Sequence, residues 1–183
     1  MKRVLVPIAP GFEEIETITV IDILRRANIE VVSAGTEPGK ITGSRDVKIV
    51  PDALLKNVVN DENFDMIVLP GGLEGTTNLN KDRYVREIIK RMYQQGKYTS
   101  AICAAPTVLS AIGITIGKNV TSHPSVKEAL QFESYSEERV VVDGQIITSR
   151  SPGTAMEFAM KLVEILIGKD KVEEINKGVL ARL

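Results

Sequence analysis

The chain has 183 residues with one cysteine, one histidine and no tryptophan, and its 23 basic and 24 acidic residues leave a formal net charge of −1. That length suits one domain over residues 1–183 with a substantial core, while the interspersed charge offers no basic stripe for nucleic acid. No apolar run reaches the roughly 18 residues of a membrane span, and a lone cysteine has no internal disulfide partner, which fits a reducing, cytoplasmic setting.

Short apolar strands alternate with helical patterns along the whole sequence. Residues 4–9 form an apolar run, interrupted only by Pro7 and broken at Pro10-Gly11, which reads as a buried first strand and not as a secretory signal. Residues 13–27 then read as a helix with Arg25-Arg26 at its C-terminal end, where cations suit the dipole. A second strand is expected over 30–34, a small hairpin over 40–42 and 47–50, and a buried strand over 64–69 that closes at Pro70-Gly71-Gly72. An amphipathic helix spans 84–95 and ends at Gly96 as a C-cap. A strand over 98–102 leads into Cys103 and the start of a helix at Ala104. A strand follows at 120–122, then a hairpin over 139–142 and 145–148 around Asp143-Gly144. An apolar helix over 155–167 and a terminal helix over 171–183 complete the pattern. Alternating βα units imply an α/β, flavodoxin-like three-layer sandwich, with a mostly parallel sheet covered by helices on both faces.

In such sheets ligands bind at the carboxyl ends of strands, beside a topological switch point. Three chemically suggestive segments fall there: 10–16, 70–73 and Cys103. A thiol at a strand-to-helix turn faces the positive end of a helix dipole, so Cys103 is expected to be reactive, with its pKa below the free-thiol value. Glu13 and Glu14 suit a solvated helix start. Glu16, flanked by Ile15, Thr17 and Ile18, points inward on this reading, where desolvation would keep its carboxyl protonated near neutrality and able to donate to a thiolate. Gly71-Gly72 fits either an oxyanion-binding turn or a plain left-handed turn. His123 is either a structural histidine or a base beside the thiol. The loop 149–154 reads as a cap for the next helix, through Thr154. One histidine leaves no metal-ligand set, so no metal is expected.

Taken together, Gly11-Phe12-Glu13-Glu14-Ile15-Glu16-Thr17, Ser44-Arg45-Asp46-Val47, Val68-Leu69-Pro70-Gly71-Gly72, Ala101-Ile102-Cys103-Ala104-Ala105-Pro106, Thr121-Ser122-His123-Pro124 and Thr148-Ser149-Arg150-Ser151-Pro152-Gly153-Thr154 resemble the ThiJ/PfpI superfamily. Within it, they are similar to the branch of the Parkinson-disease deglycase and its bacterial counterparts. The resemblance implies a homodimer with Cys103 as nucleophile, Glu16 as its acidic partner and His123 lining the pocket. It further implies backbone N–H donors at Gly72 and Ala104, with Glu13 in the same substrate-binding group. Asp22, Arg26 and Arg45 match the pocket mouth or dimer interface, with Asp22 as partner for an arginine across it. The implied activity is a cofactor-free glyoxalase or deglycase acting on methylglyoxal, glyoxal or their early adducts. The alternative is a redox sensor or chaperone working through oxidation of Cys103. Leu73 departs from the polar residue common after the paired glycines. Ala104, where protease-like members carry histidine, argues against a peptidase. Ile15, Ile18, Val20, Ile21, Ile23 and Leu24 exceed one buried stripe, so a second face of that helix is expected to meet another copy.

Overall fold

The computed structural model describes residues 1–181. Its elements in chain order are β1 (Arg3–Ile8), α1 (Glu14–Arg26), β2 (Glu30–Gly35), β3 (Ile41–Thr42), β4 (Lys48–Ile49), β5 (Ala53–Leu54), α2 (Leu55–Val58), β6 (Met66–Leu69), α3 (Leu73–Lys81), α4 (Arg83–Gln94), β7 (Tyr98–Ile102), α5 (Pro106–Ala111), β8 (Asn119–Val120), β9 (Ser134–Tyr135), β10 (Val140–Asp143), β11 (Ile146–Ser149), α6 (Ala155–Leu166) and α7 (Lys169–Val179), with 3-10 turns at Pro124–Ala129 and Pro152–Thr154. The expected terminal helix thus starts earlier and ends before residue 180, and its residues 182 and 183 lie outside the described residues.

Seven strands form the main sheet in the order β10-β11-β7-β6-β1-β2-β5. All neighbouring pairs are parallel except the β10–β11 hairpin at one edge. The central strands β2-β1-β6-β7-β11 give the 2-1-3-4-5 order of a flavodoxin-like sheet, whose direction of winding reverses between β1 and β6. Because β1 and β6 are covered on both faces, they are apolar beyond Arg3 at the edge of β1: Val4, Leu5, Met66 and Ile67 are all fully buried. Alternate residues feed two cores. One side packs Val4, Val6 and Val68 against α1, α6 and α7, including Phe158 and Leu162. The other packs Leu5, Ile67 and Leu69 against α3, α4 and α5, including Ile88, Ile89 and Val108.

The expected small hairpin is present as β3 paired antiparallel with β4, outside the main sheet. The edge hairpin is shifted by one residue: Asp143 pairs with Ile146, and Gly144, at φ +60°, and Gln145 make the two-residue turn. Gly96, at φ +73°, follows α4 as its left-handed cap residue. Thr154 occupies the N-cap position of α6, but its hydroxyl is turned back to accept from the amides of Arg150 (3.2 Å) and Ser151 (3.1 Å) instead of capping forward. Helix α3 was not expected from its sequence, Leu-Glu-Gly-Thr-Thr-Asn-Leu-Asn-Lys, which is poor in helix formers. Tertiary packing selects it. Gly75 lies so close to the turn after β1 that an added Cβ would sit 2.8 Å from the Gly11 carbonyl oxygen. No helix among the described residues is long and apolar enough to cross a membrane.

Candidate active site

Three chain segments leave the carboxyl ends of β1, β6 and β7 and converge beside the point where the winding reverses. The turn after β1 delivers α1, whose buried face carries Glu16, Val20, Ile23 and Leu24 at helical spacing. Glu16 therefore enters the sheet side of the helix and is fully buried, as expected. Its Oε2 accepts from the Gly71 amide at 2.8 Å. Its Oε1 is buried without a hydrogen bond of full geometry, although the carboxyl remains coupled to the Cys103 thiol. Glycine at 71 is obligatory: an added Cβ would lie 2.6 Å from both the Cys103 Cβ and Glu16 Oε2.

Cys103 sits one residue beyond β7 at φ +65°, in the left-handed region that costs a side-chain-bearing residue of order 1–3 kcal/mol. Two backbone bonds hold it there. Its amide donates to the Ser149 carbonyl at 3.1 Å, and its carbonyl accepts from the His123 amide at 2.8 Å. The half-buried sulfur lies within reach of the Gly72 and Ala104 amides, which donate to it. The two backbone donors inferred for an oxyanion thus already converge on the nucleophile candidate.

A cleft of about 450 Å³ opens over this sulfur, with Glu13, Arg45, Gly72, Ala104 and His123 in its wall. Glu13 is the N-cap of α1, its Oε2 accepting from the Glu16 amide at 2.7 Å. Burial raises its pKa despite that bond. Glu14 is not solvated. It is buried, its Oε1 accepting from the Arg45 amide at 2.6 Å and Oε2 from the Ser44 hydroxyl at 3.0 Å. Burial pushes its carboxyl up, but these bonds outweigh it and leave the pKa lowered. Glu14 thereby ties the β3–β4 turn, and with it Arg45, to the first turn of α1. His123 caps the 3-10 turn Pro124–Ala129, with Nδ1 turned to Ser125.

Asp22 and Arg26 do not reach this cleft. They form an exposed pair with each other at 2.7 Å along α1, so Asp22 has a partner one turn away in its own helix. Sequence reasoning also left out Glu74, Ser125 and Pro152, which line the cleft, while Leu73 stands exposed at its mouth. Of these, Ser125 had a readable signal, since it lies two residues after His123 across a proline that starts a turn.

The DJ-1/PfpI family profile matches residues 2–165. The chain belongs to the DJ-1/PfpI family. Protein dj-1beta of Drosophila melanogaster is 47% identical over 182 residues, covering 98% of this chain and 97% of that protein. Its crystal structure superposes with a TM-score of 0.96 at 45% identity, over 100% of this chain and 99% of the other. A Caenorhabditis elegans relative named glutathione-independent glyoxalase DJR-1.2 is 40% identical, over 90% of this chain and 88% of its own length. These likenesses place the chain in the branch expected from its motifs.

The electrostatics correct one expectation. Burial pushes the Glu16 carboxyl up to about 7, against the opposing bonds from Cys103 and the Gly71 amide. Burial, the Glu16 charge and the Glu16 hydrogen bond push the Cys103 thiol up to about 12, against the Gly72 and Ala104 amides. The thiol is therefore not lowered by a helix start. Helix α5 begins only at Pro106, which has no N–H, and runs six residues. The two groups form one coupled acid: the pair releases a first proton near 7 and keeps the second to about 12, so one proton is shared across neutral pH.

Glu16→Gln removes the charge while keeping shape and a donor. Its thiol should titrate in one step below about 12, read from the pH dependence of alkylation; a profile identical to the wild type would show the groups uncoupled. Because the folded carboxyl lies above its ordinary value of 4.5, its stabilisation is complete below 4.5 and lost as pH rises through about 7. The wild type should lose about 3 kcal/mol across that window in denaturant titrations, and Glu16→Gln should not.

Proposed function

We propose that this protein is a cysteine-dependent, cofactor-independent glyoxalase that converts methylglyoxal or glyoxal to lactate or glycolate and also acts on their early protein adducts. The observation that carries this reading is the meeting of the Cys103 sulfur with Gly72 and Ala104 on the cleft wall, with the buried Glu16 carboxyl beside that sulfur. The relative named as a glyoxalase supports it.

The Cys103 sulfur forms a C–S bond to the aldehyde carbon, and the carbonyl electron pair moves to oxygen under the Gly72 and Ala104 amides. The proton shared by the pair neutralises that oxygen as a hemithioacetal. Glu16, as carboxylate, then takes the hydrogen from the thiol-bearing carbon and returns it to the neighbouring carbonyl carbon through an enediol. The first carbon is oxidised to a thioester and its neighbour reduced to an alcohol, so no external oxidant is needed. Water attacks the thioester, the C–S bond breaks, and the 2-hydroxy acid leaves with the thiol restored. Purified protein without glutathione should consume methylglyoxal and yield lactate, and Cys103→Ala should fall to background with an unchanged fold. An inactive wild type, or an active Cys103→Ala, overturns the assignment.

A second reading, redox sensing or redox-regulated chaperoning, is favoured by the isolation of the thiol. With one cysteine in the chain, no resolving partner exists, so mild peroxide should carry Cys103 through sulfenate to sulfinate. Mass spectrometry should find two added oxygens on the Cys103 peptide; oxidation confined to the methionines counts against a sensor. A cytoplasmic, reducing location fits both readings.

We also propose a homodimer through α1. Val20, Ile23 and Leu24 are buried in the protein's own core and Ile21 packs against it, whereas Ile15 and Ile18 remain 57% and 45% exposed. Ile18→Glu should convert a dimer to a folded monomer in sedimentation velocity. A wild type that sediments as one chain at micromolar concentration removes the proposal.

A further inference from the structure

His123 is one of the cleft residues, and what it can do there depends on which ring nitrogen carries the proton. Two contacts decide this. The Ser125 backbone N–H donates to His123 Nδ1 at 3.2 Å, and the Ser125 hydroxyl lies 2.7 Å from the same nitrogen. A backbone amide has no lone pair to offer, so Nδ1 is the acceptor and carries no proton. The hydroxyl can rotate to either role and here supplies a second donor to that lone pair. The single N–H of the neutral ring is then on Nε2. The ring is also referenced to the nucleophile, since the His123 amide donates to the Cys103 carbonyl at 2.8 Å.

With its Nδ1 edge occupied by Ser125, the ring has only the Nε2 edge left for a ligand in the cleft that it lines. We propose that Ser125 is a positioning residue that fixes His123 as the Nε2–H tautomer, so that His123 meets substrate as a hydrogen-bond donor and not as a base. This rests on the glyoxalase-type reading for the identity of the acceptor. The donor suits an oxygen on the carbon next to the one that Cys103 attacks, so it favours α-oxoaldehydes over simple aldehydes, which leave that N–H unpaired. Glu16 then remains the group that moves protons, and His123 holds the second carbonyl as its oxygen gains charge.

The chain has one histidine, so long-range proton–nitrogen NMR reads its ring without assignment. Under mildly alkaline conditions the wild type should show a protonated Nε2 and a bare Nδ1. Ser125→Pro, which lacks both donors, should populate the Nδ1–H form. A protonated Nδ1 in the wild type, or an unchanged tautomer in Ser125→Pro, overturns the positioning role. Methylglyoxal turnover gives an independent reading. His123→Gln keeps an N–H near the Nε2 position and should stay within about tenfold of wild-type kcat. His123→Ala and His123→Asn should lose about a hundredfold, with alkylation of Cys103 unchanged in all three. Equal losses in His123→Gln and His123→Ala overturn the donor role. The NMR result does not depend on turnover, so a wild type without glyoxalase activity would fail the functional reading while the tautomer is still tested.

Discussion

The close approach of three turns at the reversal of the sheet is what everything else at this site depends on. The turns after β1 and β6 touch through backbone: Gly75 donates to the Gly11 carbonyl at 3.1 Å and Glu13 donates to the Gly71 carbonyl at 3.0 Å, while the Gly11 amide donates to Thr42 of β3. Side chains at 71, 72 or 75 would break this contact, because an added Cβ at each meets backbone or site atoms below ordinary contact distance. Gly72, at φ +89°, also requires a conformation that other residues rarely take. Only with those positions bare can Glu16 from one strand end and Cys103 from another come close enough to share a proton.

That proximity sets the chemistry more than the helix field does. Two amides directed at a sulfur favour its anion, yet the sulfur is half-buried and shares its surroundings with a fully buried carboxyl. Burial acts on both groups in the same direction, and each ionised partner raises the other, so the pair behaves as a single acid with widely separated steps. The thiolate becomes accessible when the carboxyl holds the proton, not through a permanently lowered thiol pKa. Such a pair holds a carboxyl and a thiol in one unit and exchanges their protonation states by moving one hydrogen.

The architecture was legible because it is written in period and punctuation. The apolar runs of β1 and β6, the stripe of α4 and the glycine caps each follow from local rules, and the ordered motifs led to the family. Cys103 and Glu16 were legible for the same reason: one stands at a strand end, the other at the inward spacing of α1. What escaped was set by tertiary contact. Helix α3 forms from residues of low propensity because Gly75 permits close packing. Glu14 looked like a solvated helix start, yet the β3–β4 turn folds over it and supplies two donors. Asp22 and Arg26 lie away from the cleft and pair with each other along α1, at an exposed position on that helix.

Strain at Cys103 explains the remaining arrangement. A left-handed residue after a strand relaxes unless its neighbours over-determine it, and here the clamps come from segments that themselves form the cleft. Ser149, at the end of β11, holds the Cys103 amide, and the His123 amide holds its carbonyl. The loop that restrains Cys103 is therefore the one that presents the histidine, whose ring accepts at Nδ1 from the Ser125 amide of the following 3-10 turn. Glu14 likewise holds the Arg45 backbone through the β3–β4 turn. In each case a buried or backbone group sets an exposed functional side chain, so the cleft's outer residues inherit their placement from the rigid sheet beneath them.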